Sequence, residues 1–432
     1  MSSLPHPTLI AQSIAQKQRG SLAFPMKNLR RYVTMVSQQL VISTSLIIKH
    51  PFTSPPIPTW PLHLTLFVAV FRATADYQEH IVEDISDFRN LIDTFFYYLP
   101  KLPQMRVLDF RLPIPIGGRG FPGALEALER TEDGHRTVPG QWIADSSVWD
   151  KLMNMPLASS AQGSSDPYAA RRALDYRLAP EHPYPAALQD VAHAFAHLTS
   201  PGGCGFDPKN VTASGDSAGG GLTVALMMYQ RDFGLPTSSK AVLLSPWLDL
   251  TMRSDSWLSN GLDYLPAPPK VQHKFNPISF YCSGSDKIKT LVRHPYISPL
   301  WGNLENLPPM LIQCGEAERL RDECVLFTYK AGGCIGSLNL SGHDVKATPR
   351  SSSSHVELDI YPGMVHVFQA FPFLPESGMA LGRLHEFMQR HEAQMEPDDK
   401  LNDVGSKQAM VDDRQASIVL TTVLTEVIAE QA

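Results

Sequence analysis

At 432 residues, with 43% apolar and 19% charged side chains, the chain can bury a large core and is not disordered or fibrous in composition. A net charge of −6 points away from nucleic acid and anionic membranes as partners. The five cysteines, at 204, 282, 314, 324 and 334, form no CxxC pair and no Cys/His spacing suited to zinc. They read as free thiols of a reducing compartment, and the expected location is cytoplasmic.

The N-terminus, MSSLPHPTLIAQSIAQKQRG, lacks the apolar core of a secretory signal. Two apolar runs follow, Leu40 to Ile48 and Trp60 to Phe71. Both fall short of the about 20 residues that cross a bilayer. They read as buried cap helices, with room left for a peripheral membrane contact. Asp76 to Pro100 carries Ile81, Ile85, Phe88, Ile92 and Phe95, three or four apart, which is the period of an amphipathic helix. Pro100 and Pro103 close it.

From about residue 174 the texture changes to strand, turn and helix in alternation. Val211 to Ser214 predicts a strand, Gly220 to Tyr229 a helix, and Lys240 to Leu244, Met310 to Gln313 and His355 to Tyr361 further strands. This alternation predicts an α/β fold, a mostly parallel sheet with flanking helices. Gly332 to Ser354 is polar and Gly/Ser-rich, and reads as a loop. The last segment, ASIVLTTVLTEVIAEQ, reads as a docking helix.

Gly215-Asp-Ser-Ala-Gly219 matches G-x-S-x-G between a strand and a helix. That context displays a serine nucleophile on a strained turn, where larger neighbours than Gly215 and Gly219 would clash. The N–H of Ala218, at the start of the helix, is placed to donate to an oxyanion.

The motifs run on in order: DYRLAPEHPYPAALQD at Asp175–Asp190, GDSAGGG at 215–221, LLSPWLDL at 243–250, DYL at 263–265, LPPMLIQCGEAERLRDE at 307–323 and YPGMVHVF at 361–368. Together they resemble the hormone-sensitive-lipase-like esterases of the α/β-hydrolase fold. The likeness covers about 174–394. PTWPLHLTLFVAVFRA resembles the cap of fungal members more weakly. The resemblance implies residues 1–105 as an N-terminal helical cap region, 106–394 as the catalytic domain and 395–432 as a C-terminal tail.

It also implies a Ser–acid–His order. His366 would be the base, taking the proton of Ser217. The acid position falls on Glu318, with Asp322, one helical turn later, as the alternative. Asp322 and Glu323 also suit the N-terminus of the following helix. Asp359, Asp216, Arg177, Glu181 and His182 read as structural. No metal or cofactor is implied.

The family's His-Gly-Gly-Gly loop, which supplies backbone donors to the oxyanion, has no counterpart here. The interval Ile143 to Leu174 holds no His, no Gly pair and no β-branched apolar run. A central strand and its oxyanion loop are therefore expected to be incomplete. Gly117-Gly-Arg-Gly120 lies upstream but reads as a hairpin turn. One oxyanion donor is worth about 2.7–4 kcal/mol. Three readings follow: an omitted coding segment, donors drawn from elsewhere such as Gly163 to Ser165, or an inactive relative used for binding.

The functional expectation is a carboxylic ester hydrolase acting on a small or medium apolar ester through an acyl-enzyme. A fungal tailoring esterase of secondary metabolism fits the resemblance. The rivals are a small-molecule binding protein and an acyltransferase using the same serine.

Overall fold

The computed structural model describes residues 29–81, 105–145, 170–271, 273–332, 334–335, 355–393 and 418–422. Helices α1 (Leu29–Lys49) and α2 (Leu62–Ile81) precede the sheet. The strands are β1 (Met105–Pro113), β2 (Thr137–Asp145), β3 (Ala170–Leu174), β4 (Val211–Asp216), β5 (Lys240–Leu244), β6 (Met310–Gly315), β7 (Cys334–Ile335), β8 (Val356–Tyr361) and β9 (Ile418–Thr422). The flanking helices are α3 (Ala186–Thr199), α4 (Ser217–Asp232), α5 (Arg321–Lys330) and α6 (Pro375–Ala393).

One sheet holds these strands in the order β1-β2-β3-β9-β4-β5-β6-β8-β7. β1, β2 and β3 pair antiparallel in succession, and every later pairing is parallel. The central strands are short apolar runs buried on both faces, as a parallel sheet covered by helices requires. Alternation along them divides the core. Ala241, Leu243, Met310 and Ile312 join Cys324 and Phe327 of α5 and Val224 and Met228 of α4. Val242 and Leu311, pointing the other way, pack on Phe387 and Met388 of α6.

The expected strands and the helix after β4 are present, each within a residue or two at its ends except for the helix, which runs longer. The C-terminal expectation is corrected. Part of the tail, Ile418–Thr422, is a strand, β9, and it lies inside the sheet between β3 and β4. Val211 to Gly215 pair with Ile418 to Thr422, and Ala170 to Ala173 pair with Ile418 to Thr421. The run Ile418-Val-Leu-Thr-Thr422 is β-branched at four of its five positions, a composition that fits a pleated strand better than a helix. Thus the gap expected in the middle of the sheet is filled from the far end of the chain. The boundary at 395 does not separate the tail from the sheet.

Arg177 of DYRLAPEHP ties this loop to α3. Arg177 donates through Nε to both carboxylate oxygens of Asp190 (3.1 and 3.0 Å), and Arg136 meets the same carboxylate at 2.6 Å. Gln189 and His193 of α3 each meet Glu129 Oε1 at 2.7 Å. Burial pushes the Glu129 carboxyl up, but hydrogen bonds from His193 and Gln189 outweigh it and hold it at about 2. Gly117, Gly118 and Gly120 all adopt positive φ in the β1–β2 connection, and Arg119 N donates to Glu129 Oε2 (2.6 Å). A Cβ on Gly118 would lie 2.1 Å from that oxygen. The Gly-rich segment is therefore a turn wrapped around Glu129, with its Arg119 N–H engaged there.

Candidate active site

β4 ends at Asp216 in extended geometry, and α4 begins at the next residue. Ser217 itself has φ 50°, a left-handed conformation that costs a non-glycine residue energy and thrusts its side chain off the turn. The turn is held by Trp247 N, which donates to Ser217 O (2.7 Å). Two glycines that the pentapeptide does not contain make this fit. A Cβ on Gly220 would lie 2.6 Å from Pro246 Cβ, and one on Gly221 would lie 2.2 Å from Trp247 O. The GDSAGGG run thus lets α4 seat against the Ser245–Trp247 loop.

His366 lies in the loop after β8. Its Nε2 is 3.0 Å from Ser217 Oγ. The imidazole is buried, and burial pushes its pKa down to about 3, so it is a neutral base at ordinary pH. Its backbone N donates to Asp263 Oδ1 (3.2 Å), while Asp263 Oδ2 accepts from Arg319 N (2.9 Å). Asp263, the first residue of DYL, thus joins the loop carrying His366 to the loop carrying Glu318. Burial pushes its carboxyl up to about 6.

Glu318 is wholly buried just beyond β6. Its Oε2 accepts from Ser245 Oγ (2.7 Å) and Gly315 N (2.9 Å). The same Ser245 hydroxyl receives Val367 N (3.0 Å), the residue after His366. Burial, then the neighbouring Cys314 and Asp263, raise the Glu318 carboxyl well above its ordinary range. Glu318 Oε1 and His366 Nδ1 are among the buried side-chain atoms without a hydrogen bond. Ser217 and His366 are therefore in contact, and Glu318 is braced beside the His366 loop without a hydrogen bond to the ring.

The alternative acid, Asp322, is engaged elsewhere. Asp322 accepts from Ser256 N (2.9 Å) and Arg321 Nε (2.8 Å). Asp359 lies 3.3 Å from Arg383 Nε. Asp216 is buried, and burial alone pushes its carboxyl up to about 7. Sequence reading assigned no role to Ser245 or Asp263, although both sit in quoted motifs. Nothing in those motifs says that a hydroxyl would bridge two loops.

The ligand atoms of Cys314, Glu318 and Cys324 lie within 4.8 Å of one another, all buried. Burial raises the Cys324 thiol well above its ordinary value, which keeps it protonated. Three donors, one a protonated thiol and one a carboxylate already braced by Ser245, fall short of a four-ligand structural zinc site. Residues 146–169, which include Gly163 to Ser165, lie outside the described residues.

α2 and the residues just before it pack beside the histidine loop. Trp60, Leu64 and Val68 pack on Tyr361, Met364, Val365 and Phe368, and Trp60 Nε1 donates to Gly363 O (2.6 Å). Phe67 and Phe71 of α2 contact Tyr264 at ring distances of 5.5 and 5.1 Å, and Tyr264 lies 5.9 Å from the His366 ring. The helix therefore forms an aromatic wall behind the histidine.

A family described as having the α/β-hydrolase fold matches residues 169–335. The chain is 35% identical over 215 residues to an acetyl-hydrolase of Streptomyces hygroscopicus, covering 49% of this chain and 62% of that one. It is 34% identical over 216 residues to an esterase of Acinetobacter venetianus, covering 50% of this chain and 62% of that protein. The chain thus spans about three fifths of the length of these curated relatives. A crystal structure of an esterase from the bacterial hormone-sensitive lipase family superposes with a TM-score of 0.52 at 25% identity, covering 75% of this chain and 96% of that one. The chain therefore has the α/β-hydrolase fold, and its sheet and motifs are similar to those of esterases of the hormone-sensitive lipase family.

Proposed function

We propose that this protein is a carboxylic ester hydrolase working through an acyl-enzyme on Ser217. The observation that carries the reading is the 3.0 Å approach of His366 Nε2 to Ser217 Oγ, with the serine held at φ 50° between strand and helix. His366 takes the hydroxyl proton as Ser217 attacks the ester carbonyl, and then gives it to the departing alkoxide. Water attacks the acyl-enzyme by the same route in reverse, releasing the acid. Ala218 N–H, in the first turn of α4, donates to the developing oxyanion.

Glu318 is the triad acid in this reading. Its Oε1 and the Nδ1 of His366 are both buried and unpaired, and a hydrogen bond between them would satisfy both. Asp322 is spoken for by Ser256 and Arg321. The aromatic wall of α2 favours a small or medium apolar acyl or alcohol group, such as an acetylated or short-acyl metabolite. A tailoring role in secondary metabolism is consistent with such a substrate. The catalytic unit spans 106–394 together with β9, capped by residues 1–105.

The test is hydrolysis of p-nitrophenyl acetate and butyrate by the full chain and by Ser217→Ala. Loss of the serine is expected to lower kcat/KM by about 10⁴-fold or more. Equal rates for the two proteins, with no labelling of Ser217 by a fluorophosphonate, would favour a binding protein instead. An added alcohol that outcompetes water for the acyl group would mark an acyltransferase.

A further inference from the structure

We infer that the outer face of α1 docks on an anionic phospholipid bilayer. The two apolar runs of the N-terminal region have opposite fates. That of α2 is spent on the body, with Trp60, Leu64 and Val68 buried. That of α1 is not. Val33, Leu40 and Ile47 recur every seven residues along the helix, with Val41 and Ile48 beside them, and Phe52 follows the helix end. Leu40 is 63%, Val41 70% and Phe52 86% exposed. Such spacing places them on one stripe. A shallow apolar depression lies along it, lined by Leu40, Val41, Thr44 and Ile48 and ending at Lys49. α1 holds to α2 on its other side, through buried Met35 and a Gln39 Nε2 to Thr74 Oγ1 hydrogen bond of 2.9 Å.

Charge decides the occupant. The first 75 residues hold seven Lys and Arg and no Asp or Glu, so the negative excess of the chain lies entirely beyond them. The net charge of −6 conceals this segregation. By its sequence this segment carries cations and no anions, so it repels a second copy of itself and attracts an anionic lipid surface into which the apolar stripe can insert. Lys49 sits at the end of the stripe, where its stem covers apolar surface and its ammonium reaches headgroups. No helix of the described residues is long and apolar enough to cross a membrane, so the contact is a helix lying in the interface plane.

The proposal does not rest on esterase activity. It is tested by flotation of the full chain with vesicles of phosphatidylcholine plus phosphatidylserine, and with phosphatidylcholine alone. The expected result is binding to the mixed vesicles at least about tenfold tighter than to the neutral ones, weakened by salt. Leu40→Glu with Ile48→Glu is expected to lower that binding about tenfold or more while leaving hydrolysis of a soluble ester unchanged. Ser217→Ala is expected to bind vesicles like the parent. Equal binding by parent and double variant overturns the proposal. So does a parent that floats with neither vesicle, or one that sediments as a dimer and becomes monomeric in the double variant without any vesicle binding.

Discussion

Ser217 stands between two flanks of the sheet that are built in different ways. On one side, β5, β6 and β8 follow in chain order, and the loops after them deliver Ser245, Glu318 and His366. On the other, the neighbour of β4 is β9, drawn from Ile418–Thr422 far along the chain, and β3 lies beyond it. The first flank takes its strands in chain order, so its chemistry is written in contiguous motifs. The second needs a loop closure that spans most of the domain. The comparison teaches that the turns presenting Ser217 and His366 are encoded in contiguous motifs, while the sheet beneath them depends on a distant segment.

The largest expected effect comes from breaking the second flank. Deleting residues 395–432 removes β9 and strips backbone partners from both β3 and β4 in the middle of the sheet. At roughly 0.5–1.5 kcal/mol for each of the hydrogen bonds lost, and more for buried groups left unpaired, the cost is comparable to the stability of a typical domain. The truncated chain is expected to lose its cooperative thermal transition and all ester hydrolysis. A synthetic peptide covering 415–425 added during refolding is expected to restore part of both. A truncated chain that melts and hydrolyses like the parent would show that β9 contributes nothing to the sheet.

Next in size is the acid on the first flank. Glu318→Gln keeps the shape and the Ser245 contact but removes the charge, and kcat is expected to fall about 10²–10⁴-fold. Asp322→Asn is expected to stay within about threefold of the parent, because its carboxylate caps Ser256 rather than facing the histidine. Kinetics with p-nitrophenyl acetate read both. A large loss in Asp322→Asn beside a small one in Glu318→Gln would exchange their roles.

The first flank was legible in the sequence because each strand ends in a motif whose spacing constrains the turn after it. GDSAGGG, GEAERLRDE and GMVHVF name the elbow, the buried acid and the histidine loop almost without reference to the rest of the chain. What they do not reveal is the bracing. Ser245 bonds to Glu318 and Val367, and Asp263 bonds to His366 and Arg319, across separations of 56 to 122 residues. β9 was misread for a similar reason. Its apolar and β-branched residues suit a strand only once two open strand edges are available to pair with it, and periodicity over so short a run does not separate helix from strand. The exposed stripe of α1 was hidden differently. Its run looks like that of α2 in sequence, and only packing shows that one is covered and the other is not.

The smallest expected effect is in the pH profile, where the electrostatics of the first flank can be read. The base limb of the reaction needs neutral His366. Burial holds its imidazolium form down, to a pKa of about 3, against an ordinary value of 6.5. Because the neutral form is the active one, activity is retained as pH falls through 6.5 and is lost only as the folded pKa is approached. The kcat/KM of the free enzyme is therefore expected to show an acid limb below 6.5. An ionised Glu318 at Nδ1 would act in the opposite direction, stabilising the imidazolium and lifting the limb. Its carboxyl is itself pushed upward by burial, Cys314 and Asp263, which resists that ionisation. A limb at or above 6.5 in the parent that drops in Glu318→Gln would show that the carboxylate, and not burial, sets the proton affinity of the base.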